Sequence, residues 1–311
     1  MTEKSTLQPI KSHTVFQTVF LPEKSPRAII QINHGLAEHS MRYHEFAKYL
    51  CDRGYGVYLH DHPGHGKTAG SNEAEGHLPW KNGWDDMLDV IHGINKSIRK
   101  AHPSIPVFLM GHSMGSLLAR YYNCTYPMYF KGMILSGTGN PDPVALKSFL
   151  ALVKTISYFK PYNFKSKWVN TQFYKKFNIS IKNSKTTFDW LSSDEAEVEK
   201  YINDPLCGFD LSLGFFKNLL QGSLQMLKSE KQLRFRKNFA TLIISGTEDP
   251  VGNFGKGPKA LQQKYVQQGF FNTHLKLLEG RHELLNEKPE IRQQTYKTIE
   301  DWIDGKLSGN F

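Results

Sequence analysis

Six short apolar runs rich in β-branched residues recur along the chain, each closing on a glycine or polar turn. They are AIIQIN (28–33), GVYLHD (56–61), VFLM (107–110), GMILSG (132–137), TLIISG (241–246) and HLKLLEG (274–280). Runs of this length, bounded by turn residues, predict buried strands. Between them, YHEFAKYLCDRG (43–54) and WDDMLDVIHGINKSIRKAH (84–102) place apolar residues at helical spacing. Strands that alternate with helices have both sheet faces covered, so the expected class is α/β, with a mostly parallel central sheet flanked by helices. SHTVFQTVFLP (12–22) instead alternates with period two, which predicts an antiparallel edge strand or hairpin.

The rhythm stops near Asp142 and resumes near Asn238. Residues 141–235 are therefore expected to be an insertion, with 1–140 and 236–311 forming the core. Composition shifts there too: aromatics are denser than the chain's 13%, and from Pro143 to Phe188 there are lysines but no acidic residue. Leu146, Phe149, Leu150, Val153 and Ile156 recur at helical spacing, which predicts a helix with one apolar stripe. That stripe either packs on its own domain or meets lipid.

Several function classes are disfavoured. No run approaches the roughly 18 apolar residues that span a bilayer, and MTEKSTLQPIKSH lacks the apolar stretch of a signal peptide. The three cysteines, Cys51, Cys124 and Cys207, are scattered without a CxxC pair. Neither disulfides nor a structural zinc site is expected, and reduced thiols point to a cytoplasmic protein. The formal net charge of +10 comes without any nucleic-acid-binding motif, so no nucleic-acid partner is expected.

Chemistry enters at VFLMGHSMGS (107–116). A strand before Gly-X-Ser-X-Gly and a helix after it put Ser113 on a tight turn with its hydroxyl projecting. Gly111 and Gly115 remove Cβ atoms where the bent chain packs closely. Serine is negligibly ionised at neutral pH and needs a base. His282, in the loop after the last strand-like run, is the best placed of 13 histidines. Of Glu248 and Asp249, which follow TLIISG, Asp249 precedes a proline in a turn and is the expected orienting acid. The order Ser, Asp, His is that of α/β-hydrolases. Met114, just after the nucleophile, and Leu36, after the turn at His34-Gly35, are the expected backbone donors for an oxyanion. His34, Gly35 and His112 are candidates for the pocket wall.

These segments resemble a known family, the α/β-hydrolase group of monoglyceride lipases and bacterial lysophospholipase-like hydrolases. The resemblance rests on NHGLAEHSMRY (33–43), HDHPGHGKTAG (60–70), GHSMGS (111–116), DPLCGF (204–209), GTEDPVG (246–252) and GRHELLNE (280–287), in the family's order. It implies an α/β-hydrolase fold with a mainly helical cap, matching the insertion, and a triad of Ser113, Asp249 and His282 with Leu36 and Met114 as oxyanion donors. It also implies that Cys207 faces the pocket; the alternative is a small buried hydrophobe. One departure is Ser116, where the family usually has glycine. His62 and His65 read as a structural turn rather than a metal site, because no third ligand accompanies them.

The resemblance implies a serine ester hydrolase acting on a single-acyl lipid such as a monoacylglycerol or lysophospholipid, with no metal and no organic cofactor. Short-chain carboxylesterase or peptidase activity on the same scaffold is the nearest alternative, and a non-catalytic ligand-binding protein a more distant one. Epoxide hydrolase and dehalogenase relatives place Asp where Ser113 stands. KPYNFKSKWVNTQFYKK (160–176) carries lysines and rings suited to peripheral contact with an anionic membrane; its other reading is a solvated surface.

Overall fold

A computed structural model describes residues 1–71, 74–233 and 236–309. Eight strands form one sheet: β1 (Thr2–Ile10), β2 (His13–Leu21), β3 (Ile29–Asn33), β4 (Gly56–His60), β5 (Val107–His112), β6 (Gly132–Ser136), β7 (Ala240–Gly246) and β8 (Thr273–Leu278). Their order across the sheet is β1-β2-β4-β3-β5-β6-β7-β8. From β4 to β8 every pairing is parallel, while β2 lies antiparallel to both β1 and β4. This is the α/β-hydrolase fold.

SHTVFQTVFLP forms the second arm of a hairpin whose register pairs Ile10 with His13 across a tight turn at Lys11. The edge itself is β1, which sequence patterning left unassigned. Its residues TEKSTLQPI are mostly polar and exposed, as suits a strand with one free edge.

The helices are α1 (His44–Asp52), α2 (Gly66–Ala69), α3 (Gly83–Ala101), α4 (Met114–Thr125), α5 (Pro143–Ser157), α6 (Lys167–Asn178), α7 (Glu195–Asn203), α8 (Leu213–Ser229), α9 (Lys256–Gln267) and α10 (Pro289–Ser308). Strand alternation sorts the core into two layers. Leu109, Met133, Leu135 and Ile243 join α3, α4 and α8 on one face. Phe108, Met110, Ile134 and Leu242 join α1 and α10 on the other. In α3, Trp84, Met87, Leu88, Ile91, Ile94 and Ile98 turn inward. Asp85 and Asp86 in its first turn, and Arg99 and Lys100 in its last, oppose the helix dipole.

Between β6 and β7 run α5, α6, α7 and α8, each opened by a capping side chain: Asp142, Ser166, Asp194 and Ser212. Helix α5 has the expected stripe. Leu150 and Val153 are buried, and Leu146, Phe149 and Ile156 pack against the sheet's own apolar cluster. Helix α8 enters that cluster through Leu213, Phe215, Phe216 and Leu220, so the inserted segment shares its core with the sheet. The expected boundary at 235 falls on Phe235, outside the described residues.

Candidate active site

Ser113 ends β5 and opens α4 with φ 50° and ψ −117°. A non-glycine residue reaches this region only when its surroundings hold it there. The Ser113 N–H donates to Ser136 O at 2.9 Å, and its carbonyl accepts from Ser116 N at 2.9 Å and Leu117 N at 3.3 Å. The flanking glycines have no room for a side chain: a Cβ on Gly111 would strike the Gly115 carbonyl, and one on Gly115 the carbonyls of Asn33 and His34.

Asp249 follows β7 and His282 follows β8, on neighbouring strand ends. Asp249 Oδ1 lies 3.0 Å from His282 Nδ1 and accepts from Val251 N at 2.8 Å. Glu248, the other acid of that turn, is half exposed and approaches Arg281 at 3.9 Å. His282 is buried between the rings of His112 and Trp190, with centroids 4.7 and 5.0 Å away. Burial alone would depress its imidazole, but the Asp249 carboxylate, together with the charges of Glu283 and Glu38, outweighs that and raises its pKa. Its Nε2 is buried without a hydrogen-bond partner among the described residues and lines the same cavity as Ser113. No hydrogen bond joins Ser113 Oγ to this nitrogen among the described residues.

The Leu36 and Met114 N–H groups find no acceptor in the backbone or side chains of the described residues. The loop carrying Leu36 is held by histidines. His34 Nδ1 lies 2.8 Å from Gly35 O, and His34 Nε2 accepts from His62 N at 2.9 Å. His65 Nε2 accepts from Ala37 N at 3.3 Å. Burial keeps these rings neutral, pushing His34 and His62 well below the ordinary histidine value and holding His65 down to about 4. His62 and His65 thus brace the loop. The metal-binding atom types that gather within 4.8 Å among the described residues belong instead to His39, Asp204 and Cys207.

Above Ser113 opens a cavity of about 480 Å³. Gly35 and His112 line it; His34 and Cys207 are not among its lining residues. His34 is turned into the loop it braces. Cys207 is buried in a cluster with Ala37, Tyr174, Trp190 and Tyr201, where burial pushes its thiol pKa up. Leu146 and Phe149 of α5, Phe173 of α6, and Leu219 and Leu220 of α8 supply much of an apolar wall.

Residues 24–289 match the family described as serine aminopeptidase, S33. The chain belongs to this family. It is 30% identical over 293 residues to the monoglyceride lipase homolog of Monkeypox virus, covering 92% of each chain. It is 27% identical to the monoglyceride lipase of Rattus norvegicus, covering 94% of this chain and 88% of the relative. A thermostable carboxyl esterase of Bacillus coagulans, solved with glycerol, superposes with a TM-score of 0.88 at 28% identity over 98% of both chains.

Within this S33 chain, Ser116 is fully buried outside the cavity wall. Its hydroxyl lies 2.6 Å from Ser113 O and 2.8 Å from Thr138 Oγ1. Arg120 Nη1 donates to Thr138 Oγ1 at 3.4 Å, and the Arg120 guanidinium grips buried Glu230 through two bonds of 2.8 Å.

Four site residues escaped sequence reasoning. Glu38 accepts hydrogen bonds from Gly35 N and, at 2.8 Å, from Tyr43 OH. Arg42 approaches Glu38 at 3.3 Å and pairs with Glu283, all three buried. Burial, with the nearby Glu283 charge, raises the Glu38 carboxyl to about 7. The fourth is Trp190, whose carbonyl accepts from His282 N at 3.4 Å, while Leu191 O accepts from Glu283 N at 2.7 Å. The i, i+4 spacing of Glu38 and Arg42 was a visible signal; Trp190 had none.

Proposed function

We propose that this protein is a serine ester hydrolase cleaving single-acyl lipids, monoacylglycerols or lysophospholipids, through an acyl-serine intermediate. The observation that carries this reading is the Asp249–His282 hydrogen bond beside the strained turn of Ser113, on the floor of a largely apolar cavity. The relatives named monoglyceride lipase agree with it.

In this reading His282 Nε2 takes the Ser113 Oγ proton as oxygen attacks the ester carbonyl. The Leu36 and Met114 N–H groups receive the oxyanion. Collapse breaks the bond to the alcohol, which leaves with the proton from His282. Water then gives one proton to His282 and attacks the acyl-serine; as the bond to Ser113 Oγ breaks and fatty acid leaves, His282 returns that proton to the serine oxygen. Asp249 holds the imidazole tautomer and stabilises its charged form. No metal or organic cofactor takes part in these steps.

Residues 141–235 act as a cap over a core of 1–140 and 236–311. Val144, Tyr158, Phe159, Trp168 and Ile179 are exposed on it, among Lys147, Lys154, Lys160, Lys165 and Lys167. Rings and lysines together suit peripheral contact with an anionic lipid surface. No helix of the described residues is long and apolar enough to cross a membrane, and the reduced thiols fit the cytoplasm.

The test is hydrolysis of mono- and diacyl substrates of varied chain length, with Ser113→Ala as control, beside labelling by a fluorophosphonate. Labelling and single-acyl turnover, both lost in Ser113→Ala, are expected. Folded protein that does not label removes the reading. A rate that falls beyond short acyl groups favours the short-chain carboxylesterase alternative.

A further inference from the structure

Three side chains of different chemistry meet where the inserted segment touches the core. His39 Nε2 lies 2.8 Å from Asp204 Oδ2, and the Cys207 thiol completes a group whose ligand-type atoms all fall within 4.8 Å of one another. His39 and Cys207 are buried and Asp204 is half-buried. None of the three is among the residues lining the cavity above Ser113. We propose that His39, Asp204 and Cys207 bind a divalent ion of the zinc class, which fastens the turn at 204–207 onto the loop that carries Leu36.

The turn supplies two ligands from one tight stretch of chain. Cys207 N donates to Asp204 O at 3.0 Å, and Leu206 N to Asp204 Oδ1 at 2.9 Å. Two intervening residues is a ligand spacing that tetrahedral zinc sites use. Cysteine spacing does not reveal the site, because His39 and Asp204 lie 165 residues apart in sequence. Nitrogen, oxygen and sulfur together suit a zinc-class ion, whereas calcium and magnesium take oxygen ligands. Bonds of about 2.0 to 2.3 Å set tetrahedral ligand atoms roughly 3.3 to 3.6 Å apart, so the His39–Asp204 contact opens by about half an ångström and the thiol closes in by up to about 1.3 Å. His39 Nδ1 accepts from Met41 N at 3.3 Å, so Nε2 carries the ring proton before the ion arrives. On binding, that proton moves to Nδ1, the long bond from Met41 is lost, and the thiol proton leaves to solvent. An open cavity of about 880 Å³, lined by His39 and Asp204, is the way in and supplies water as the fourth ligand. The cations of its wall are paired elsewhere: Arg42 with Glu38 and Glu283, Lys200 and Arg292 with Glu197. Ala37 O already accepts from Gly208 N at 2.9 Å and Tyr201 OH at 2.7 Å, a join that the ion reinforces.

The test uses the full chain, stripped of metal by a chelator that is then removed. Zn²⁺ should bind at one ion per chain and, at about a hundredfold excess over its dissociation constant, raise Tm by about 4 °C. Co²⁺ in its place should give the charge-transfer absorption of a thiolate ligand. Cys207→Ser should abolish that band and weaken Zn²⁺ binding on the order of 100-fold, whereas Cys124→Ser, on α4, should keep both. The cobalt spectrum of the unaltered protein does not depend on how the variant folds: cobalt bound without a thiolate band, or no metal bound, would overturn the site. Zinc affinity unchanged in folded Cys207→Ser would overturn it too. These readouts do not involve turnover, so their failure leaves the hydrolase reading intact.

Discussion

Asp249 Oδ1 stands 3.0 Å from His282 Nδ1 across 33 residues of sequence, and both side chains are buried. That carboxylate, with the charges of Glu283 and Glu38, lifts the imidazole pKa against the effect of burial. Neutral His282 is the base, so activity should rise with pH through that raised pKa. The acid limb of kcat/KM is expected above the ordinary histidine value of about 6.5. Asp249→Asn removes the charge, should move the limb downward, and should lower kcat by on the order of 10³ to 10⁴. A pH–rate profile checks both; an acid limb unmoved in the variant contradicts the assignment.

Ser116 separates a positional role from a nucleophilic one. Its hydroxyl bridges Ser113 O and Thr138 Oγ1 in a fully buried spot. Ser116→Ala should keep fluorophosphonate labelling and lose about 1 kcal/mol of stability in a urea melt. Loss of labelling in a folded variant would transfer the chemistry to Ser116.

The apolar wall over Ser113 sets a length for the acyl chain. Each methylene it receives is worth about 0.8 kcal/mol, or roughly fourfold in kcat/KM, until the cavity is full. Leu220→Trp on α8 should bring that plateau to a shorter chain. Steady-state rates on a homologous series of monoacylglycerols measure it, and an unshifted plateau would place the acyl chain elsewhere.

The Arg120–Glu230 pair is fully buried and links α4 to the end of α8. Burial would raise the Glu230 carboxyl, but Arg120 and Lys264 hold it down at about 2. A depressed folded pKa gives stability that is present above the unfolded value of about 4.5 and lost as pH falls toward 2. Glu230→Gln leaves Arg120 uncompensated and should cost about 3 to 5 kcal/mol at pH 7. The cost should shrink as pH falls below about 4.5 toward 2, because wild type then loses its own advantage. Denaturant titrations at several pH values give the answer.

Exposed rings on the inserted segment make the membrane proposal measurable. Tyr158, Phe159 and Trp168 are 86, 82 and 60% exposed. Replacing Tyr158 and Phe159 by serine, with Trp168 kept because it lines the cavity, should reduce sedimentation with anionic vesicles about tenfold while leaving turnover of a water-soluble ester in place. Unchanged vesicle binding would return this surface to an ordinary solvated one.

The parallel sheet was legible because most of its strands, β3 to β7, are short apolar runs buried on both faces, and turns interrupt them at each end. The hairpin arm β1 was not, because an edge strand with one solvated face needs no apolar pattern. The bracing role of His62 and His65 was only half legible: the turn was visible in HDHPGHG, whereas the hydrogen bonds to residues 34 and 37 cross between strands.

Local sequence determined where the strands end, which side chains stand on the turns after them, and that a lysine-rich aromatic segment interrupts the α/β alternation, since these depend on propensities and spacing within a few residues. Only the tertiary structure decided that Trp190 packs on His282, that Cys207 and His34 turn away from the cavity, and that Arg42 is shared by Glu38 and Glu283. Those contacts join residues far apart in the chain, and their partners are selected by how β3, β5, β7, β8 and the inserted helices pack, which no stretch of sequence carries by itself.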